Sequence, residues 1–189
     1  GVDISHPDIN FYEGEDCLSD GGIPIVDPED KDGNGKAGDC RGWDFTKKRG
    51  RLNMPEDDAR NGHGTHISGI ISAKKGNGGL AGLSNRIKIL PVKVIKRNEN
   101  LVGSAISFTD QIAKGIEYAI EKNADVINMS YGWASTIDSE IIREHIKLAN
   151  EKGIFVVSAA GNDGNNLDFY PCNHIGVICV GSNSPLQED

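Results

Sequence analysis

The sequence predicts an α/β fold: a parallel β-sheet flanked by helices on both faces. Three observations carry that prediction. Short apolar runs rich in Val and Ile alternate with amphipathic helical patterns through the second half of the chain. The stretches joining successive runs are long enough to cross over and return the chain in the same direction. Gly and small polar residues punctuate the ends of the runs, where ligands of such sheets bind.

Taken in order, residues 1–9 read as a turn following a strand. Phe11 to Asp58 is long, polar and rich in Gly and Asp, with short apolar pieces at Ile23-Pro24-Ile25-Val26 and Trp43-Asp44-Phe45; it reads as a large loop region outside the core. Residues 64–75 form a helix, with Ile67, Ile70 and Ile71 on one expected buried face and Gly69 implying a packing constraint. A glycine-rich connection leads to a strand over 86–95, with Pro91 near an irregularity. A helix over 109–123 would bury Ile112, Ala113, Ile116, Ala119 and Ile120. Residues 125–130 form a short buried strand, and 138–152 a second helix with Ile141, Ile142, Ile146 and Ala149, closed by Gly153. Residues 154–160 give the strongest strand pattern, and 177–180 a last short one.

The chain has 189 residues, enough for one domain with a core, and a net charge of −8. That balance argues against nucleic-acid or anionic-membrane binding, which need clustered Lys and Arg. No run of about 18 apolar residues exists to span a membrane. No signal peptide is visible, and Gly1 is not a natural start. The four cysteines, Cys17, Cys40, Cys172 and Cys179, form no CxxC pair. Two pairs close in sequence suggest disulfides Cys17–Cys40 and Cys172–Cys179; four free thiols are the alternative, with Cys179 able to pack as a small apolar residue.

Three stretches carry chemistry. In Asn61-Gly62-His63-Gly64-Thr65-His66, two histidines stand three apart at the mouth of a helix, without the Glu and four-residue spacing of a zinc-protease helix. The positive end of a helix disfavours imidazolium, so His63 acting as a base needs a carboxylate partner. Ser130-Tyr131-Gly132 and Gly161-Asn162-Asp163-Gly164 end strands on small polar residues, where substrate should lie, and the Asn162 amide can donate to a forming oxyanion. Asp30, Asp32 and Asn34 alternate with Gly35 at the turn, like the first half of an EF-hand calcium loop. The Lys36 carbonyl would be a further ligand. Arg41 stands where that loop has its bidentate Glu, and Asp39 can close the shell instead. Cys17 and Cys40 bracket this loop. A calcium site with disulfides favours a secreted or extracytoplasmic location.

Together the segments resemble the subtilisin-like serine proteases, the subtilases. The matching pieces are Gly1-Val2-Asp3 with His6-Pro7-Asp8, Asn61 to His66, Val126 to Ser130, Ala159-Ala160-Gly161-Asn162, Tyr170-Pro171 and Val177 to Gly181. The resemblance implies a serine endopeptidase acting on polypeptides, with His63 as general base of a Ser-His-Asp triad and Asn162 as the oxyanion amide. Ser130, Tyr131, Gly132, Ala159, Ala160 and Gly161 would wall the pocket for the side chain before the scissile bond. Gly103 and Ser104 would lie on the strand that pairs with the bound peptide. Asp8 and Asn77 match a further calcium site, although the loop beside them is one residue shorter. The family's catalytic Asp lies two positions before the equivalent of Gly1, and its nucleophile follows the last strand in a Gly-Thr-Ser motif; this chain contains neither. The resemblance therefore implies one subtilisin-like catalytic domain, incomplete at both ends and inactive alone, with a calcium-loop insertion at about 13–58. It further implies a monomer and a propeptide inhibitor. Two other readings remain: a catalytically inactive subtilase-fold binding module, and a calcium-binding structural domain with incidental histidines.

Overall fold

The computed structural model describes residues 1–18, 28–47, 54–57, 62–95, 105–134, 138–164 and 167–183, with backbone alone at 105–107. They divide into two compact units, Gly1–Ser104 and Ala105–Asp189.

The first unit contains β1 (Trp43–Asp44), α1 (His63–Ser72) and β2 (Val92–Lys93). β1 and β2 pair in parallel, Trp43 opposite Val92 and Asp44 opposite Lys93. A lone parallel bridge joins Phe11 to Ile89. The strand expected over 86–95 is thus realised in two pieces with Pro91 between them. Proline has no N–H to give a ladder, yet its carbonyl still accepts from Trp43 N–H at 3.2 Å. Gly42 makes this approach possible: a Cβ there would stand 1.9 Å from the Pro91 carbonyl oxygen.

Val2, Ile9 and Phe11 form a buried apolar cluster with Ile89 packed against it. The segment read as a turn therefore also supplies core. The polar stretch after Phe11 is not wholly an outer loop either, because Asp16, Asp39, Cys40 and Asp44 are all buried. Asp44 faces buried Lys93 at 3.7 Å, and the Lys93 ammonium donates to the Glu56 carbonyl at 3.0 Å. The Asp44 carboxylate also accepts from the backbone N–H and hydroxyl of Thr46. Paired and hydrogen-bonded in this way, charge can enter an interior that composition alone would deny it.

Helix α1 inverts the expected packing. Ile70 is exposed, Ile67 and Ile71 are half-buried, and the buried positions are Ser68 and Ser72. The reason is a returning loop. The N–H groups of Gly82, Leu83 and Ser84 donate to the carbonyls of Ala73, Ile70 and Ile71 at 3.0–3.2 Å. These bonds satisfy carbonyls that a helix end leaves open. A Cβ on Gly82 would stand 2.4 Å from the Ala73 nitrogen, so only small residues fit between loop and helix. Ser68 and Ser72 send their hydroxyls back to the carbonyls of Gly64 and Ser68. Gly69 itself has nothing within 4 Å of where its Cβ would be; the close contact falls on Gly82 instead.

The second unit holds α2 (Ala105–Glu121), β3 (Val126–Met129), β4 (Trp133–Ala134), α3 (Glu140–Glu151), β5 (Phe155–Ala159), β6 (Phe169–Tyr170) and β7 (Val177–Val180). Its sheet is parallel, in the order β3-β5-β7. Val126 pairs with Phe155, and Val157 with Ile178. Here the sequence periodicity holds closely. Ile112, Ala113, Ile116 and Ala119 of α2 are buried, as are Ile142, Ile146 and Ala149 of α3, while Ile120 is half-buried and Ile141 exposed. The two helices pack on each other, and α3 packs on β5. Gly153 ends α3 with φ 80°, the left-handed conformation expected of a closing glycine. The other face of the sheet carries Val126, Phe155, Ile178 and Val180, all exposed.

Both disulfides form as paired above, Cys17–Cys40 in the first unit and Cys172–Cys179 in the second. The free-thiol alternative is thereby removed.

Candidate active site

In the first unit, His63 opens α1 and is exposed. Gly62 precedes it at φ 59°, and its carbonyl accepts from His66 N–H at 2.8 Å, so the helix starts with a left-handed glycine. Gly64 lies against the first residues of the chain: a Cβ there would stand 2.0 Å from the Gly1 carbonyl oxygen. Thr65 then ties three segments together. Its hydroxyl donates to Asp57 at 2.5 Å and accepts from Asp3 N–H at 2.9 Å, and its own N–H reaches the same Asp57 oxygen at 3.4 Å. A carboxylate at the positive end of a helix is favourable. Asp57 thus fixes the turn that presents His63, a role that sequence reasoning missed. Hydrogen bonds from the hydroxyl and N–H of Ser5 hold the Asp3 carboxyl below the usual range. Among the described residues no carboxylate is hydrogen-bonded to the His63 ring. Asn61, Gly103 and Ser104 lie outside the described residues.

In the second unit, the ladder runs one residue beyond β5, where Ala160 N–H donates to the Val180 carbonyl at 2.9 Å. Gly161, at φ 88°, turns the chain, and Asn162 follows with its side chain exposed. Beyond β3, Ser130 accepts from the Asn128 amide at 2.9 Å, and burial pushes the Tyr131 phenol up. The two strand ends are joined by a residue the sequence did not flag. Phe169 of β6 pairs with Ala134 of β4, and its ring packs on both Gly132 and Gly161. Two glycines closing separate strands, each at a close approach, were the available signal.

Nearby in sequence, His174 is buried, with Nδ1 3.2 Å from Asp138; Arg143 pairs with the other oxygen of the same carboxylate. Its Nε2 has no hydrogen-bond partner among the described residues, and the Tyr170 ring lies 4.9 Å away. Burial lowers the imidazole pKa below 6.5; the Asp138 charge opposes that shift only in part.

The acidic loop is ordered by its own amides. Asp30 accepts from the N–H groups of Asn34 and Gly35, and the Asn34 side chain bridges Asp32 and Asp39 at 3.1 and 2.9 Å. The Lys36 carbonyl accepts from Asp39 N–H at 3.1 Å. Oxygens of Asp16, Asp32 and Asp39 lie within 4.8 Å of one another. That spacing fits a cation ligated at 2.3–2.6 Å by oxygens on its different sides. Asp30 lies outside this triad, and Asp16 was not anticipated. Its signal was present: Asp16-Cys17 and Asp39-Cys40 are two Asp-Cys dipeptides, and the disulfide, with its Cα atoms 4.6 Å apart, carries one Asp to the other. At the other suggested site, the Asn77 amide donates to Asp8, and Lys74 N–H reaches the same carboxylate at 3.2 Å. Half-buried Asp8 and exposed Asn77 thus join two segments far apart in sequence by hydrogen bonds.

The fold and these strand-end and helix-start groups define an α/β protein of the subtilisin type. The family model Peptidase_S8, described as the Subtilase family, matches residues 1–186, and the chain belongs to that family. It is 40% identical over 133 residues to the Major intracellular serine protease of Bacillus subtilis (strain 168), covering 68% of this chain and 40% of that protein. It is 36% identical over 129 residues to the Minor extracellular protease Epr of the same organism, covering 68% of this chain and 19% of that one. Among solved structures, Sphericase aligns with TM-score 0.56 at 27% identity, covering 72% of this chain and 44% of that one. The chain thus spans less than half the length of these relatives.

Proposed function

We propose that the full-length protein is a serine endopeptidase, in which this chain supplies the general base and the oxyanion donor. The observation that carries the reading is the glycine-bounded turn presenting an exposed His63 at the start of α1, within a chain belonging to the subtilase family. In this reading a serine hydroxyl, from a segment outside this chain, attacks the peptide carbonyl and gives its proton to His63. The Asn162 amide donates to the oxygen that becomes negative. The amine leaves with the proton from His63, and water repeats the sequence to release the acyl group. Gly103 and Ser104 would pair with the substrate backbone. Ser130, Tyr131, Gly132, Ala159, Ala160 and Gly161 would wall the pocket for the side chain preceding the cleaved bond. The contact of Gly64 with Gly1 supports an Asp partner just upstream, since two residues span only about 7 Å.

Calcium is the fitting ion for the acidic loop, with Asp16, Asp32 and Asp39 as side-chain ligands and the Lys36 carbonyl as a candidate fourth. Bound there, it would neutralise the carboxylates and hold the loop; it takes no part in the proton transfers. The Asp8–Asn77 loop is a weaker candidate for a second ion. Two disulfides support an extracytoplasmic location. The test uses the full-length protein. A serine-directed fluorophosphonate should label it, and His63→Ala should abolish both labelling and casein hydrolysis. Full labelling and hydrolysis by His63→Ala would refute the assignment.

A further inference from the structure

We propose that Phe169 fills the pocket for the residue before the scissile bond, restricting it to small side chains such as Ala, Ser or Gly. The inference rests on the peptidase reading above, which makes the segments ending at Gly132 and Gly161 the walls of that pocket. A Cβ built on Gly132 would stand 2.2 Å from Phe169 Cε1 and 2.8 Å from Cζ. One built on Gly161 would stand 3.0 Å from Cδ2 and Cε2 and 3.1 Å from Cζ. The same ring therefore touches both walls, with Cζ in reach of each. Neither glycine has a side chain to yield, and Gly161, at φ 88°, disfavours acquiring one.

The ring's backbone is held in place on every side. Phe169 pairs with Ala134, its carbonyl accepts from Asn173 N–H at 3.0 Å, and the Cys172–Cys179 disulfide follows three residues on. A large incoming side chain would have to displace the half-buried ring or spread two strand ends. A methyl or hydroxymethyl group would need neither. Overpacking of this kind is strongly unfavourable, whereas a small group leaves the walls as they are.

The experiment measures kcat/KM of the full-length protein on peptides identical except for Ala, Leu or Phe before the cleaved bond. The Ala peptide is expected to exceed the Phe peptide by about 100-fold, the scale on which a few misplaced carbons discriminate. Phe169→Gly should raise the Phe peptide by at least about tenfold and shrink that ratio. Equal rates for Ala and Phe peptides, with fluorophosphonate labelling intact, would overturn the pocket inference and leave the peptidase reading standing. Absence of both labelling and hydrolysis would sink the peptidase reading, and this inference with it. Should Phe169→Gly fail to fold, the wild-type ratio alone decides, with Phe169→Leu as the milder enlargement.

Discussion

The two units solve the problem of burial by different means. The second is built from repeating patterns: three parallel strands, two amphipathic helices, and a core chiefly of Ile, Val and Ala with Met129, Tyr118 and Cys172. Among its described residues the first has one pair of two-residue strands and one ten-residue helix, and beside a small apolar cluster of Val2, Ile9 and Phe11 it buries Asp16, Asp39, Asp44 and Lys93. Apolar area stabilises in proportion to its extent and tolerates small shifts. Buried charge stabilises only while every partner stays in place, and losing one leaves a desolvated charge behind. The difference teaches where each unit is brittle.

The largest expected effects are catalytic, one on each unit. In the full-length protein His63→Ala should lower kcat by about 10⁶-fold, a magnitude taken from subtilisin itself, with the circular dichroism unchanged. Asn162→Ala should cost about 10²–10³-fold, again the scale known from subtilisin. Equal losses would show that the units do not divide the chemistry as proposed.

Stability comes next. Lys93→Met should destabilise the first unit by about 3–5 kcal/mol in urea titration, whereas Asp44→Leu combined with Lys93→Met should recover much of that loss. The matched change in the second unit, Ile146→Ala, should cost about 2–5 kcal/mol with no such rescue by a partner. A smaller effect separates the disulfides. Opening Cys17–Cys40, 23 residues apart, should cost about 3 kcal/mol, and opening Cys172–Cys179, 7 apart, somewhat less, because the longer closed loop restrains the unfolded chain more.

The smallest is a pH dependence confined to the second unit. Burial lowers the His174 pKa below its ordinary 6.5, so the unfolded chain binds the proton more readily. Stability contributed by the neutral ring is present above about pH 6.5 and lost as pH falls through the folded pKa. Thermal melts across pH 5–8 should show that decline, and His174→Gln should flatten it.

These same differences decide what was legible. In the second unit a residue's face follows from its spacing, so Ile112, Ile116, Ile142 and Ile146 were placed in the core from sequence alone. β4 and β6, two residues each, are too short to show a period, and with them Phe169 was missed. In the first unit, Ile70 obeyed a helical period and yet is exposed, because backbone contact with Gly82 selected the serine face instead. Asp16 and Asp44 carried no apolar signal although they are buried; the repeated Asp-Cys pair hinted at the first, and only its partners reveal the second. The histidine turn and the strand ends were readable because glycines mark close approach, whereas Asp57 needed the fold to bring it to Thr65.

The bridge between Cys17 and Cys40 is more than a staple. By yoking two Asp-Cys dipeptides it works with the Lys31 and Gly38 N–H groups, which donate to the Asp16 carboxylate, to hold like charges together. A thiol reagent would remove one of these restraints and leave the backbone donors to hold two buried carboxylates side by side. Sensitivity to reductant and appetite for cations would rise and fall together.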